Sequence, residues 1–267
     1  MSHSGTIPLD TLVTSVSMFH LGTLMSDQSM LTYRQGVGKP VEIPVTGGLI
    51  EMADGEHILF DTGMLPQDLE TGTGPSLERF RSMIVRYRPE DDIRQRLAQL
   101  GRTVQDVRIV VNSHFHWDHS GGNRLFPHAR FIAQASEHRF ACCPDPFVAR
   151  PYEASYFQCD IPYELIEGDA VIKPGVATVT TPGHTPGHQS LLVRLPSGRS
   201  LIFTGDAMLC PANLNPALPP GNAHRTDDAV ASITRLRMLA EFLGGDLVIC
   251  HDPEFWSRWK PAPFRYR

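Results

Sequence analysis

Between residues 113 and 122 the chain reads SHFHWDHSGG, which places His114, His116, Asp118 and His119 within six consecutive positions. A lone histidine at a strand end is usually a hydrogen-bonded structural residue, but core packing explains the pattern HxHxDH poorly. Imidazole and carboxylate together suit a borderline divalent ion such as zinc, with iron, cobalt or manganese also compatible. RIVV at 108–111 reads as a strand that runs out just before His114. If the backbone stays extended beyond it, His114, His116 and Asp118 point to one side and His119 to another. One tetrahedral ion cannot easily take all four from so short a segment. Two adjacent ions can, one on His114 and His116, the other on Asp118 and His119.

Two ions need further ligands, and these should follow strand ends, where a rigid sheet aims a loop side chain. TPGHTPGH at 181–188 offers His184 and His188, FTGD at 203–206 offers Asp206, and ICHD at 249–252 offers His251. The two oxygens of Asp206 could bridge the ions. This gives seven metal-binding groups, with water or hydroxide completing the shells. His188 is ambiguous, since it also reads as a residue that orients neighbouring backbone or ligands. His3, His20, His57, His128, His138 and His224 lack such a setting and read as surface or local structure.

The elements that must position these groups are visible as short apolar runs at 48–52, 57–61, 108–111, 130–133, 177–181, 190–195, 200–206 and 246–250. Several are rich in β-branched residues and bounded by Gly, Pro or Asp, as strands are. Helical spacing lies between them. Ile93, Leu97 and Leu100 share one face before Gly101. Thr226 is expected to cap a helix whose apolar face is Val230, Ile233, Leu236, Leu239 and Leu243. Residues 64–79 and 211–225, with many Gly, Pro, Asn and Thr, are expected to be loops. The segment 74–91 is amphipathic and could cover the site, bind a second subunit or cover ordinary core. With no linker-like break, the expectation is one α/β domain over residues 1–267, its sheets packed between helices.

Composition narrows the class. The chain has 267 residues, of which 41% are hydrophobic, and a net charge of -5, so there is material for a sizeable core and no sign of a nucleic-acid surface. MSHSGTIPLD lacks the basic and apolar regions of a secretory signal, and no apolar run approaches membrane-spanning length. Five cysteines without a CxxC pair fit reduced thiols in a cytoplasm better than a disulfide framework, and Cys250 stands beside His251.

The order 114–119, His184, Asp206, His251 resembles the dinuclear pattern of the metallo-β-lactamase superfamily, and FDTGM at 60–64 adds to the likeness. Within it the chain is most similar to the N-acyl-homoserine lactonases, through EIPVTGGLIE at 42–51, YELIEGD at 163–169 and TPGHTPGHQSLLVRLP at 181–196. The resemblance implies an αββα sandwich with two divalent ions at one edge. His114, His116 and His184 would hold one ion and Asp118, His119 and His251 the other. Asp206 would bridge them, and Asp61 would support the ligand histidines. It further implies that a hydroxide between the cations attacks a lactone carbonyl while Asp118 passes a proton to the leaving alkoxide. One departure stands out: many such lactonases carry a tyrosine three residues after the bridging aspartate, and here that residue is Leu209, which cannot donate a hydrogen bond.

An acyl chain would require an apolar groove, for which Met25, Met64 and Trp117 are candidates, with Leu209 at the departure. The expected substrate is a small lactone, with neither nucleic acid nor membrane as partner and a monomer or homodimer as the assembly. Competing readings are a hydrolase of the same fold acting on another lactone, an ester, a phosphotriester or a thioester, an iron-dependent redox enzyme, and a non-catalytic binding protein. The filled ligand set disfavours the last, and the missing export signal disfavours a β-lactamase.

Overall fold

A computed structural model describes residues 11–158 and 160–267. The first sheet is built from β1 (Val13–Asp27), β2 (Pro40–Met52), β3 (His57–Phe60), β4 (Ile84–Arg86), β5 (Val107–Val111), β6 (Arg130–Gln134) and β7 (Tyr163–Ile166), in the order β4-β1-β2-β3-β5-β6-β7. The second holds β8 (Ala170–Lys173), β9 (Val176–Thr180), β10 (Gln189–Arg194), β11 (Ser200–Phe203) and β12 (Gly245–Val248), in the order β12-β11-β10-β9-β8. The strands β3, β5, β6 and β7 run parallel, as do β11 and β12.

Alternation along the strands creates the layers. In β3, Ile58 and Phe60 enter the core between the sheets, while Leu59 faces the opposite core. In β11, Leu201 and Phe203 do the same and Ile202 faces outward, onto the helix Thr226–Leu243 through Ile233 and Leu236. Phe60 and Phe203 meet across the gap with ring centroids 5.6 Å apart. The helix Ile93–Gln99 packs Ile93 and Leu97 on the far side of the seven-stranded sheet. The result is helix on sheet on sheet on helix, the expected αββα sandwich.

Several local expectations need correction. The stretch 64–79 contains two short helices, Pro66–Thr71 and Pro75–Phe80, each begun by proline, whose fixed φ suits the first helical turn. The stretch 211–225 begins with a 3₁₀ turn, Pro211–Leu214. Thr226 is the first residue of its helix, and Arg225 holds the cap position. The segment 74–91 covers core: Leu77 and Phe80 are buried, and β4 extends the sheet beside β1.

Candidate metal centre

The site forms where strands of both sheets end. β5 leads into His114 and His116, and here the backbone departs from the extended path that alternation assumed. His116 is the last extended residue, and Trp117–Ser120 is one turn of helix. The turn swings His119 back toward Asp61, the residue that follows β3. Asp61 Oδ2 accepts from His119 Nδ1 at 2.8 Å, while its two oxygens accept from the amide and hydroxyl of Ser113 at 2.7 and 2.8 Å. Asp61 itself lies in the left-handed region at φ 56, which aspartate tolerates better than most residues.

All seven expected groups converge. His114, His116 and His184 form one set of potential ligand atoms, and Asp118, His119 and His251 form another. Asp206 stands between them. Its Oδ2 is 3.2 Å from His184 Nε2, and its Oδ1 is 3.2 Å from both His119 Nε2 and His251 Nε2. The two oxygens of one carboxylate therefore address different sets, an arrangement that suits a two-oxygen bridge.

The residues fit divalent cations on three observations. His114 Nε2 is buried without a hydrogen-bond partner. His251 Nδ1 donates to the Pro44 carbonyl at 2.7 Å, and the Asp61 contact places the His119 proton on Nδ1, so each Nε2 presents a lone pair to the centre. The charge pattern agrees. Burial and the neighbouring imidazoles hold His114 and His116 far below the usual histidine pKa, in the neutral, ligating form. Burial opposes charge on His119 as well, but Asp206, Asp118 and Asp61 outweigh it and raise its pKa well above normal. Positive charge is thus favoured at the position the carboxylates surround.

The supporting residues are mixed. His188 belongs to neither set: its Nε2 accepts from the Asp206 amide at 2.9 Å and its Nδ1 contacts Thr181 Oγ1 at 2.8 Å. Gly205 is required beside it, because a β-carbon there would lie 2.6 Å from His188 Nε2. Trp117, Met64 and Leu209 are buried in the core on the outer face of the first sheet, with Trp117 stacked on Phe80 at 4.5 Å, and Met25 is half-buried on β1. Among the other histidines, His20 pairs with Asp91 and His224 with Asp145, while His3 lies outside the described residues. Sequence reasoning missed Ser113, which carried no signal beyond its place before the motif. Cys250, noticed only as a neighbour of His251, donates its thiol to Asp206 Oδ1 at 3.4 Å.

The chain is similar to known proteins over most of its length. A sequence profile of the metallo-beta-lactamase superfamily matches residues 41–251. The N-acyl homoserine lactonase AttM of Rhizobium radiobacter is 35% identical over 260 residues, covering 93% of this chain and 97% of that protein. The N-acyl homoserine lactonase AiiA of Bacillus thuringiensis subsp. kurstaki is 31% identical over 238 residues, covering 87% and 91%. A solved N-acyl homoserine lactone hydrolase, with N-hexanoyl-L-homoserine bound at its catalytic metal centre, superposes with a TM-score of 0.83 at 28% identity, covering 96% of this chain and 100% of that one.

Proposed function

This chain belongs to the metallo-β-lactamase superfamily and, within it, to the N-acyl homoserine lactonases, and on that premise we propose that it hydrolyses the ring ester of N-acyl homoserine lactones. The observation that carries the reading is Asp206, whose two oxygens divide between two convergent ligand sets. His114, His116 and His184 would hold one ion, Asp118, His119 and His251 the other, and Asp206 both, with zinc first among the ions these donors suit. When bound, such a pair supplies Lewis acidity and lowers the pKa of water.

The protein's own groups do the rest. Of the seven, His116 and Asp118 keep the most solvent access at 9% each, against 0% for His114 and 1% for His119. That access supports Asp118 as the carboxylate that would receive a proton from attacking water and return it to the alkoxide as the ring opens. Asp61, His251 and His188 are fixed by hydrogen bonds, so the ligands need little reorganisation when substrate arrives. The cysteines described in full (Cys142, Cys143, Cys210 and Cys250) are free thiols, in keeping with a cytoplasmic protein. Among the described residues, no helix is long and apolar enough to cross a membrane.

The test is to assay purified protein on N-hexanoyl- and N-decanoyl-homoserine lactone beside an ester and a phosphotriester, with elemental analysis of the same preparation. About two metals per chain, lactone opening, and its loss on chelation are expected. An active preparation without metal would remove the metal-centre reading. Turnover of the ester or phosphotriester with no lactone opening would move the substrate class to those esters.

A further inference from the structure

Glu137 is 1% exposed, on the helix Ala135–Cys142 that follows β6, and the mechanism above leaves it without a task. A buried carboxylate is costly unless its oxygens are satisfied. Among the described residues Glu137 forms no ion pair, and four donors surround it instead. Its Oε1 accepts from the Phe115 amide at 3.1 Å and the Tyr152 hydroxyl at 3.2 Å. Its Oε2 accepts from Thr185 Oγ1 at 2.6 Å and the Gly187 amide at 3.2 Å.

The identity of those donors is informative. Phe115 lies between His114 and His116, and Thr185 follows His184. The ring of Tyr152 meets the His116 imidazole edge-on, centroids 4.7 Å apart. Gly187 permits the approach, since a β-carbon there would fall 2.0 Å from the Glu137 amide nitrogen. All three histidines of one ligand set thus sit on loops joined by a single carboxylate. The other set does not touch Glu137: the Pro44 carbonyl holds His251, and Asp61 holds His119 while also reaching His114 through Ser113.

We infer that Glu137 is a positioning residue that sets His114 and His116 against His184, so that one of the two ion positions depends on it and the other does not. The inference rests on the metal-centre reading above and assigns Glu137 to one of its two halves. Glu137→Gln is the sharp variant. The Phe115 and Gly187 amides bond to different oxygens and cannot reverse their polarity, so either orientation of the side-chain amide leaves one N–H facing another donor.

The experiment follows metal release from the holoenzyme into a chromogenic chelator, for wild type, Glu137→Gln and Asp61→Asn. Glu137→Gln should accelerate the release of one ion about tenfold or more and leave the other within about twofold, while Asp61→Asn, whose carboxylate reaches both sets through His119 and Ser113, should accelerate both. The melting temperature of the metal-free form should fall modestly in Glu137→Gln, because a buried donor loses its acceptor, but a general loss of stability would speed the release of both ions rather than one. If Glu137→Gln fails to fold, Thr185→Val removes the 2.6 Å hydroxyl contact while keeping the side-chain shape, and should show the same selectivity with a smaller effect. Unchanged release, or equal acceleration of both ions, overturns the inference while leaving the metal centre intact. A wild-type protein that holds no metal removes the metal-centre reading and this inference with it.

Discussion

Asp61 binds the Nδ1 edge of His119 at 2.8 Å, and the opposite edge of the same ring faces Asp206 and His251. The aspartate never reaches the centre, yet it fixes which nitrogen carries the proton and where the ring points. It also holds both the amide and the hydroxyl of Ser113, one residue before the first ligand.

Replacing Asp61 by Asn turns one acceptor into a donor, which must face either the His119 imidazole N–H or the Ser113 amide N–H. Metal affinity at the position of Asp118, His119 and His251 should fall by about 10–100-fold. Metal content after dialysis against graded chelator measures this, and retention equal to wild type would show that the contact is incidental.

Asp118→Asn keeps the shape of the side chain and removes its ability to take a proton. Turnover should drop by at least about a hundredfold, with KM changed much less. Metal content must be measured in the same preparation. Normal turnover with both ions present would transfer proton handling to another group.

Leu209 is buried at 2% exposure, and its amide donates to Asn213 Oδ1 at 2.7 Å. A tyrosine there would have to fit a filled core, so Leu209→Tyr should destabilise the fold by about 1–3 kcal/mol. Denaturant unfolding tests this. Without a phenol at this position, recognition should lean on the acyl chain, each methylene that becomes buried adding about 0.8 kcal/mol. The wild-type kcat/KM should therefore rise from short to medium acyl chains, and a flat profile would argue against an apolar groove.

Glu51 offers a pH test far from the metals. Burial pushes its pKa upward, but hydrogen bonds from Ser15, Arg265 and Arg102, with the charge of Arg265, bring it down from 4.5 to about 2. A carboxylate with a depressed folded pKa stabilises the fold fully above its unfolded pKa, and that contribution disappears as pH falls through the folded value. Glu51→Gln should thus be less stable than wild type at pH 7, and the gap should narrow steadily below pH 4.5. Urea midpoints from pH 7 downward give the comparison, and a gap independent of pH would mean that packing, not charge, is responsible.

The candidate ligand residues are legible because metal chemistry constrains residue type tightly and strand ends announce themselves by composition. HxHxDH and the histidine or aspartate after each of β9, β11 and β12 need no tertiary information to be noticed. β1 was harder to read. Its middle is buried along its length, so the two-residue alternation that marks a half-exposed strand is missing. The helices at 66–71 and 75–80 hid behind prolines and glycines, which mark both helix starts and loops. Glu137 and Ser113 act through contacts between segments distant in sequence, and nothing in their immediate neighbours distinguishes them from ordinary surface or loop residues.

The centre draws on both sheets, and His119 meets His251 across 132 positions of sequence. During synthesis the chain therefore cannot assemble the Asp118, His119 and His251 set until residue 251 has left the ribosome. Loading of that position would be a late event, coupled to the docking of one sheet on the other rather than to the folding of either half. Because an ion held by both halves would favour the folded state over the unfolded one, metal supply should act on how much of this protein survives to maturity as well as on how fast it works.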